Sequence, residues 1–280
     1  MSLAIRPMTA DDIELGMRLK TQAGWNQTPA DWERFLFLEP EGCFVAEWDG
    51  EPVATTTTCT FDSVGWIGMV LVDESFRHRG IATGLVSHAL EYLDGRSIVT
   101  VRLDATEYGR PVYERIGFVP EHDFVRLQGI APSLDNVPEM TAVCAEHIDD
   151  LASLDHGATG TNRRRLLERL IAENPATSRL AMRQDSIDGY VLLRPGANAT
   201  QIGPAAARTE KTGELMADWA LGHCAGRPVF TDVPLGNHAA IEWAQRRGLA
   251  EQRRFTRMVR GLPVREDVAL LWASSGPEKG

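Results

Sequence analysis

Set against itself at an offset of 135 residues, the chain meets its own pattern: Ala10 falls on Ala145, Ile13 on Ile148, Leu19 on Leu154, Ala23 on Ala158, Glu33-Arg34 on Glu168-Arg169, Pro40 on Pro175 and Ile67-Gly68 on Ile202-Gly203. Past a short contraction the ends realign, with Phe124-x-Arg126-Leu127 on Phe255-x-Arg257-Met258 and Gly117 on Gly248. The order of apolar strands and helices agrees with these identities, which makes the chain one unit built twice. Its 280 residues suffice for two domains that each bury a core. Between the copies, the stretch from Gly129 to Pro138 holds two prolines, a glycine and no periodicity. That composition reads as a linker over 131–139, with a first domain over 1–130 and a second over 140–280.

Residues 66–84 carry the chemistry. An apolar strand ending Val70-Leu71-Val72 turns through Arg77-His78-Arg79-Gly80-Ile81-Ala82-Thr83 straight into a helix. A glycine there lets backbone approach a ligand with no Cβ in the way. The N–H groups of the first helical turn and the helix dipole favour an anion such as a pyrophosphate, and Arg77 and Arg79 add positive charge. The bland alternative is a helix-packing glycine beside a solvated basic face. A second apolar strand, Ile98 to Leu103, leads through Asp104-Ala105-Thr106 to a short helix bearing Tyr113, then Ile116-Gly117-Phe118. The chain opens on Ile5-Arg6-Pro7 with Thr9 and Asp12 spaced for a capping box.

These three blocks, in this order, resemble the Gcn5-related N-acetyltransferase (GNAT) superfamily over residues 3 to about 130. Among tandem GNAT proteins the strings Ala23-Gly24-Trp25-Asn26-Gln27-Thr28, Trp66-Ile67-Gly68-Met69, Leu103-Asp104-Ala105-Thr106, Ile202-Gly203-Pro204 and Phe255-Thr256-Arg257-Met258 resemble the YitH-type family. The resemblance implies an α/β (α+β) fold of two GNAT-like domains in tandem, each a mixed, splayed sheet flanked by helices. It implies acetyl-CoA as co-substrate, held by Val70, Leu71, Val72, Arg77, His78, Arg79, Gly80, Ile81, Ala82, Thr83, Thr106 and Tyr113. Glu74 stands where many members have Pro, and Thr106 where many have Asn.

The implied reaction is transfer of the acetyl group to a primary amine of a small molecule or peptide, by direct attack in a ternary complex. An alkyl amine of pKa about 10 is neutral roughly one time in a thousand at pH 7, so its proton must be taken before attack. Asp104 is the first choice of base, ahead of Glu47 and Glu107, though each also reads as an ordinary surface or capping carboxylate. Main-chain groups of Val70 and Val72 would polarise the thioester carbonyl, and Tyr113 would protonate the departing thiolate. Tyr113 also reads as plain core. Trp25, Asn26 and Asp31, between the first two helices, are the expected acceptor contacts, Asp31 suiting a cationic amine. The competing function is a non-catalytic acyl-CoA-binding sensor or scaffold.

The second copy has Glu210 and Glu214 where a pyrophosphate would lie and Ala244 opposite Tyr113, while Asn237 keeps the family's Asn. It reads as degenerate. A net charge of −10 argues against nucleic acid or an anionic membrane as partner, and a homodimer stays open. His78, His88 and His122 lack partners at ligand spacing, so no metal is expected. Cys43, Cys59, Cys144 and Cys224 read as buried thiols of a reducing, cytoplasmic setting.

Overall fold

Strand and helix boundaries follow the local chemistry of the chain, described here for residues 2–280 of a computed structural model. Two compact units form: residues 1–120 with 258–263 and 278–280, and residues 121–257 with 264–277.

The first unit opens with β1 (Leu3–Pro7) and helices α1 (Ile13–Gln22) and α2 (Pro29–Leu38). Asp12 accepts from the Thr9 backbone N–H at 2.8 Å and Asp31 from that of Thr28 at 2.9 Å, so capping boxes close the 3₁₀ turn Ala10–Asp12 that leads into α1 and the start of α2. The antiparallel strands β2 (Cys43–Trp48), β3 (Glu51–Phe61) and β4 (Val64–Val72) follow, then α3 (Ile81–Gly95), β5 (Thr100–Ala105) and α4 (Arg110–Arg115). α3 buries Ile81, Leu85, Val86, Ala89 and Leu93 against one face of the sheet, meeting Phe44, Ile67 and Phe118. α1 and α2 pack together where a Cβ on Gly16 would lie 2.6 Å from the Trp32 ring, so Trp32 is core. Beside β5 runs the end of β12 (Ala250–Gly261), and Thr100 Oγ1 donates to the Leu262 carbonyl at 3.0 Å.

In the second unit, residues 121–130 of β6 (Val119–Ile130) pair antiparallel with β11 (Pro228–Pro234), from Phe124↔Pro234 to Ile130↔Pro228. The sheet continues through β10 (Thr200–Ala207), β9 (Ser186–Arg194), β8 (Ser178–Arg183) and β7 (Thr141–Ala142). Helices α5 (Ile148–Thr159), α6 (Arg164–Glu173), α7 (Glu210–His223) and α8 (His238–Arg246) cover it, and a short strand β13 (Leu271–Ala273) pairs with β10. Residues 131–139 form no helix or strand, yet Ala131 is buried and Val137 packs against Gly222.

The mixed α/β class and the duplication are as expected. One expectation is corrected. Cys43, Cys59 and Cys224 are buried, but Cys144 is exposed, because it caps the turn before α5 with its Sγ 2.9 Å from His147 Nδ1. All four thiols are free. Among the described residues no helix is long and apolar enough to cross a membrane.

Candidate active site

β4 and β5 run parallel but stay paired only from Val64↔Thr100 to Trp66↔Arg102. Beyond Trp66, β4 continues to Val72 with a kink at Met69, whose φ is +51°. The two strands therefore part, and the β4 edge from Met69 to Val72 has no ladder partner on the β5 side. Val70 and Val72 are half-buried at this gap, and Leu71 is buried.

The gap leads to the start of α3. Gly80 is its N-cap, at φ +79°, and no side chain caps the helix. A Cβ at Gly80 would meet nothing within 4 Å. The N–H groups of Ile81, Ala82 and Thr83 thus face an open, glycine-led approach, as helix geometry leaves the first turn without internal acceptors. Arg77 donates to the Val72 carbonyl at 3.3 Å, and the Arg79 guanidinium lies over Phe76 and Trp48 at 5.1 and 5.4 Å, so both charges are held beside the loop. His78 is exposed with φ +62°. Glu74 pairs with Arg77 at 3.5 Å.

On the far side of the gap, Thr106 Oγ1 accepts from the Gly109 N–H at 3.2 Å, shaping the turn into α4. Tyr113 on that helix packs edge-to-face on Phe118 at 6.1 Å. Desolvation pushes its phenol up to about 12; like an ordinary phenol it is protonated at neutral pH. Asp104, half-buried, shares a β5 face with Arg102, which packs over Trp66 at 5.8 Å. Glu47 lies elsewhere, bonded to Arg6 at 2.7 Å, and Glu107 is exposed. Between α1 and α2, Asn26 is buried and Trp25 half-buried. The Asp31 carboxylate is engaged by Thr28 and by Arg34 at 2.7 Å, in a buried ion pair.

The second unit shows what became of the same gap. β10 and β11 pair in parallel only from Thr200↔Val229 to Ile202↔Thr231. Past a bulge, β13 pairs antiparallel with Ala205 and Ala206 of β10. Asn237 donates to the carbonyls of Ala269 and Leu271 at 3.2 and 3.1 Å, clasping this segment. Trp272 lies so close to α7 that a Cβ on Gly213 would fall 1.7 Å from its ring. Thr209 caps α7 through the Thr212 N–H at 3.2 Å, where α3 is uncapped. Glu214 pairs with Arg246. No sequence motif marks β13. Its only trace was Gly68 and Gly203 at one repeat position: a Cβ on Gly203 would lie 2.2 Å from the Ser274 carbonyl oxygen.

A mixed sheet that parts beside an uncapped, arginine-flanked helix start defines an acyltransferase of the splayed-sheet class. Residues 14–118 match the acetyltransferase (GNAT) family and residues 151–273 an acetyltransferase (GNAT) domain, and the chain belongs to this family as a tandem GNAT protein. It is 26% identical to the holothin acyltransferase of Pseudoalteromonas sp. (strain SANK 73390), over 91% of this chain and 87% of that protein. It is 25% identical to the uncharacterized N-acetyltransferase YitH of Bacillus subtilis, over 78% and 77%. A solved structure from Pyrococcus horikoshii superposes with a TM-score of 0.87 at 25% identity, covering 99% of this chain and 96% of that one. A tandem GNAT protein of the clavulanic acid pathway shares the fold at a TM-score of 0.67, with 14% identity and coverage of 93% and 98%.

Proposed function

We propose that the first unit transfers the acetyl group of acetyl-CoA to a primary amine of a small molecule or peptide, by direct attack in a ternary complex. The observation that carries this reading is the parting of β4 from β5 at Trp66, which leaves the Val70–Val72 edge unpaired and ends at the uncapped start of α3. A pantetheine arm in that gap would satisfy the β4 edge. The pyrophosphate would meet the N–H groups of Ile81, Ala82 and Thr83, with Arg77 and Arg79 adding charge and Gly80 admitting close approach.

Bound so, the thioester carbonyl lies where main-chain groups at Val70 can polarise it. The amine, once neutral, attacks that carbon, the C–S bond breaks, the CoA thiolate takes a proton from Tyr113, and the second proton leaving the amine nitrogen restores the phenol through water. Asp104, on β5 beyond the last β4–β5 pair at Arg102, is the proposed base, acting directly or through water. The second unit binds no acyl-CoA in this scheme. Its gap holds β13, its helix start is capped, and Glu210 and Glu214 would repel a pyrophosphate.

Calorimetric titration of the full chain with acetyl-CoA should give one site, and an amine panel should release free thiol. Two sites per chain, or saturable binding without thiol release on any amine, would reject the assignment.

A further inference from the structure

The amine acetylated by the first unit can belong to a small molecule or to a peptide. The face of β4 turned to the α1–α2 layer bears on that choice. Cross-strand partners share a face of a sheet, so Gly68 and Trp66 face the same side as Thr57 and Cys59 of β3. Gln27 and Phe35 lie over that side from the α1–α2 layer. From Val70, at the gap, to Trp66 is about 13 Å of strand, the track an extended acceptor peptide would follow.

The track is already filled by main chain. A Cβ on Gly68 would lie 2.5 Å from the Glu278 carbonyl oxygen and 2.9 Å from its Cα, and one on Gly280 would lie 2.4 Å from the Trp66 ring. Glu278 accepts from Gln27 Nε2 at 3.3 Å and pairs with Lys279, whose ammonium stands 5.9 Å from the Phe35 ring. Glu278 and Lys279 are 3% and 0% exposed, so the segment is packed into the unit rather than laid on it. Beside it, Gln27 Oε1 and Thr57 Oγ1 are buried without a hydrogen-bond partner.

We propose that Glu278–Gly280 is the end wall of the acceptor site. By occupying this face of β4 it leaves no course for an extended chain beyond Val70, so that the site admits the amine of a small molecule and excludes a peptide chain. The inference rests on the first unit being the acetyltransferase.

Thiol release from acetyl-CoA by the full-length protein tests it, with a panel of small primary amines set beside decapeptides carrying the same amine at the N-terminus or on a central lysine. The small amines should exceed the matched decapeptides in kcat/KM by about 100-fold or more. The double variant Glu278→Ala with Lys279→Ala removes the buried pair together, which avoids stranding one charge. It should narrow that ratio at least about tenfold while acetyl-CoA affinity holds. Gly68→Ala, which pushes on the Glu278 backbone, should narrow it too and guards against a misfolded double variant. Decapeptides turned over as well as their small amines, or a ratio unmoved in both folded variants, would overturn the inference alone. Thiol release with no amine or peptide would instead overturn the reading beneath it.

Discussion

Replacing Gly80 by alanine separates binding from folding. Gly80 sits at φ +79°, where a Cβ costs roughly 1–2 kcal/mol, and alanine returns about 0.4–1 kcal/mol by narrowing the unfolded ensemble. No neighbour lies within 4 Å of the new methyl, so packing adds nothing. The net cost is about 1 kcal/mol, or roughly 2–4 °C in Tm for units of this size. The same methyl, however, stands between the loop and a pyrophosphate. Losing even one charge-assisted hydrogen bond costs about 1.5–3 kcal/mol, which is a tenfold to hundredfold loss of affinity. Gly50 provides the control: its φ is +87°, with open space around its Cβ, and it lies in a different turn. Calorimetry with acetyl-CoA and thermal melts of both variants should show equal small falls in Tm, with affinity lost only in Gly80→Ala. Unchanged affinity in Gly80→Ala would refute the loop as the pyrophosphate site.

Tyr113→Phe should lower kcat by roughly 10²–10⁴-fold with acetyl-CoA affinity nearly unchanged; full kcat would make the ring a packing group only. Gly213→Ala forces a methyl 1.7 Å from the Trp272 ring, and overpacking of this kind costs about 1–3 kcal/mol or more, to be read by urea melts. A neutral result would place β13 outside the gap of the second unit. Burial pushes the Cys43 thiol and the Tyr113 phenol up to about 12, from ordinary values near 9 and 10. Their folded forms hold protons that the unfolded chain releases, so stability is whole below about pH 9 and falls as pH rises toward 12. Melts across pH 7–11 should show that loss only on the alkaline side.

The sequence made the duplication, the splayed-sheet class and the loop at Gly80 legible, because each is a local pattern: spacing, a strand running into a glycine-led helix, apolar periodicity. The acceptor side was less so. As sequence, Asp31 suits a cationic amine, yet its carboxylate closes the capping box of α2 and pairs with Arg34, contacts made by residues three positions away on either side. Residues 264–280 carry no periodicity, so nothing in them announced that β13 pairs with β10 or that Glu278 rests on Gly68. Long-range main-chain contacts leave only small residues as a trace. The final strands were ambiguous for another reason. Phe124-x-Arg126-Leu127 and Phe255-x-Arg257-Met258 have the same pattern, so either strand suits either sheet, and topology alone assigns them.

That assignment bears on how the protein is made. The first unit needs residues 258–263 beside β5 and 278–280 under Trp66. When a ribosome has delivered residue 120, the nascent sheet has an open edge at β5, and at 5–20 residues per second the missing strand arrives on the order of ten seconds later. An unpaired edge is a template for pairing with other chains, so the half-made unit is exposed for that interval. The second unit waits as well, since the β13 strand that pairs with β10 lies at Leu271–Ala273, so both units are completed only as the last twenty or so residues are made. A chain stopped between the copies would lack both segments that complete the first unit, residues 258–263 and 278–280.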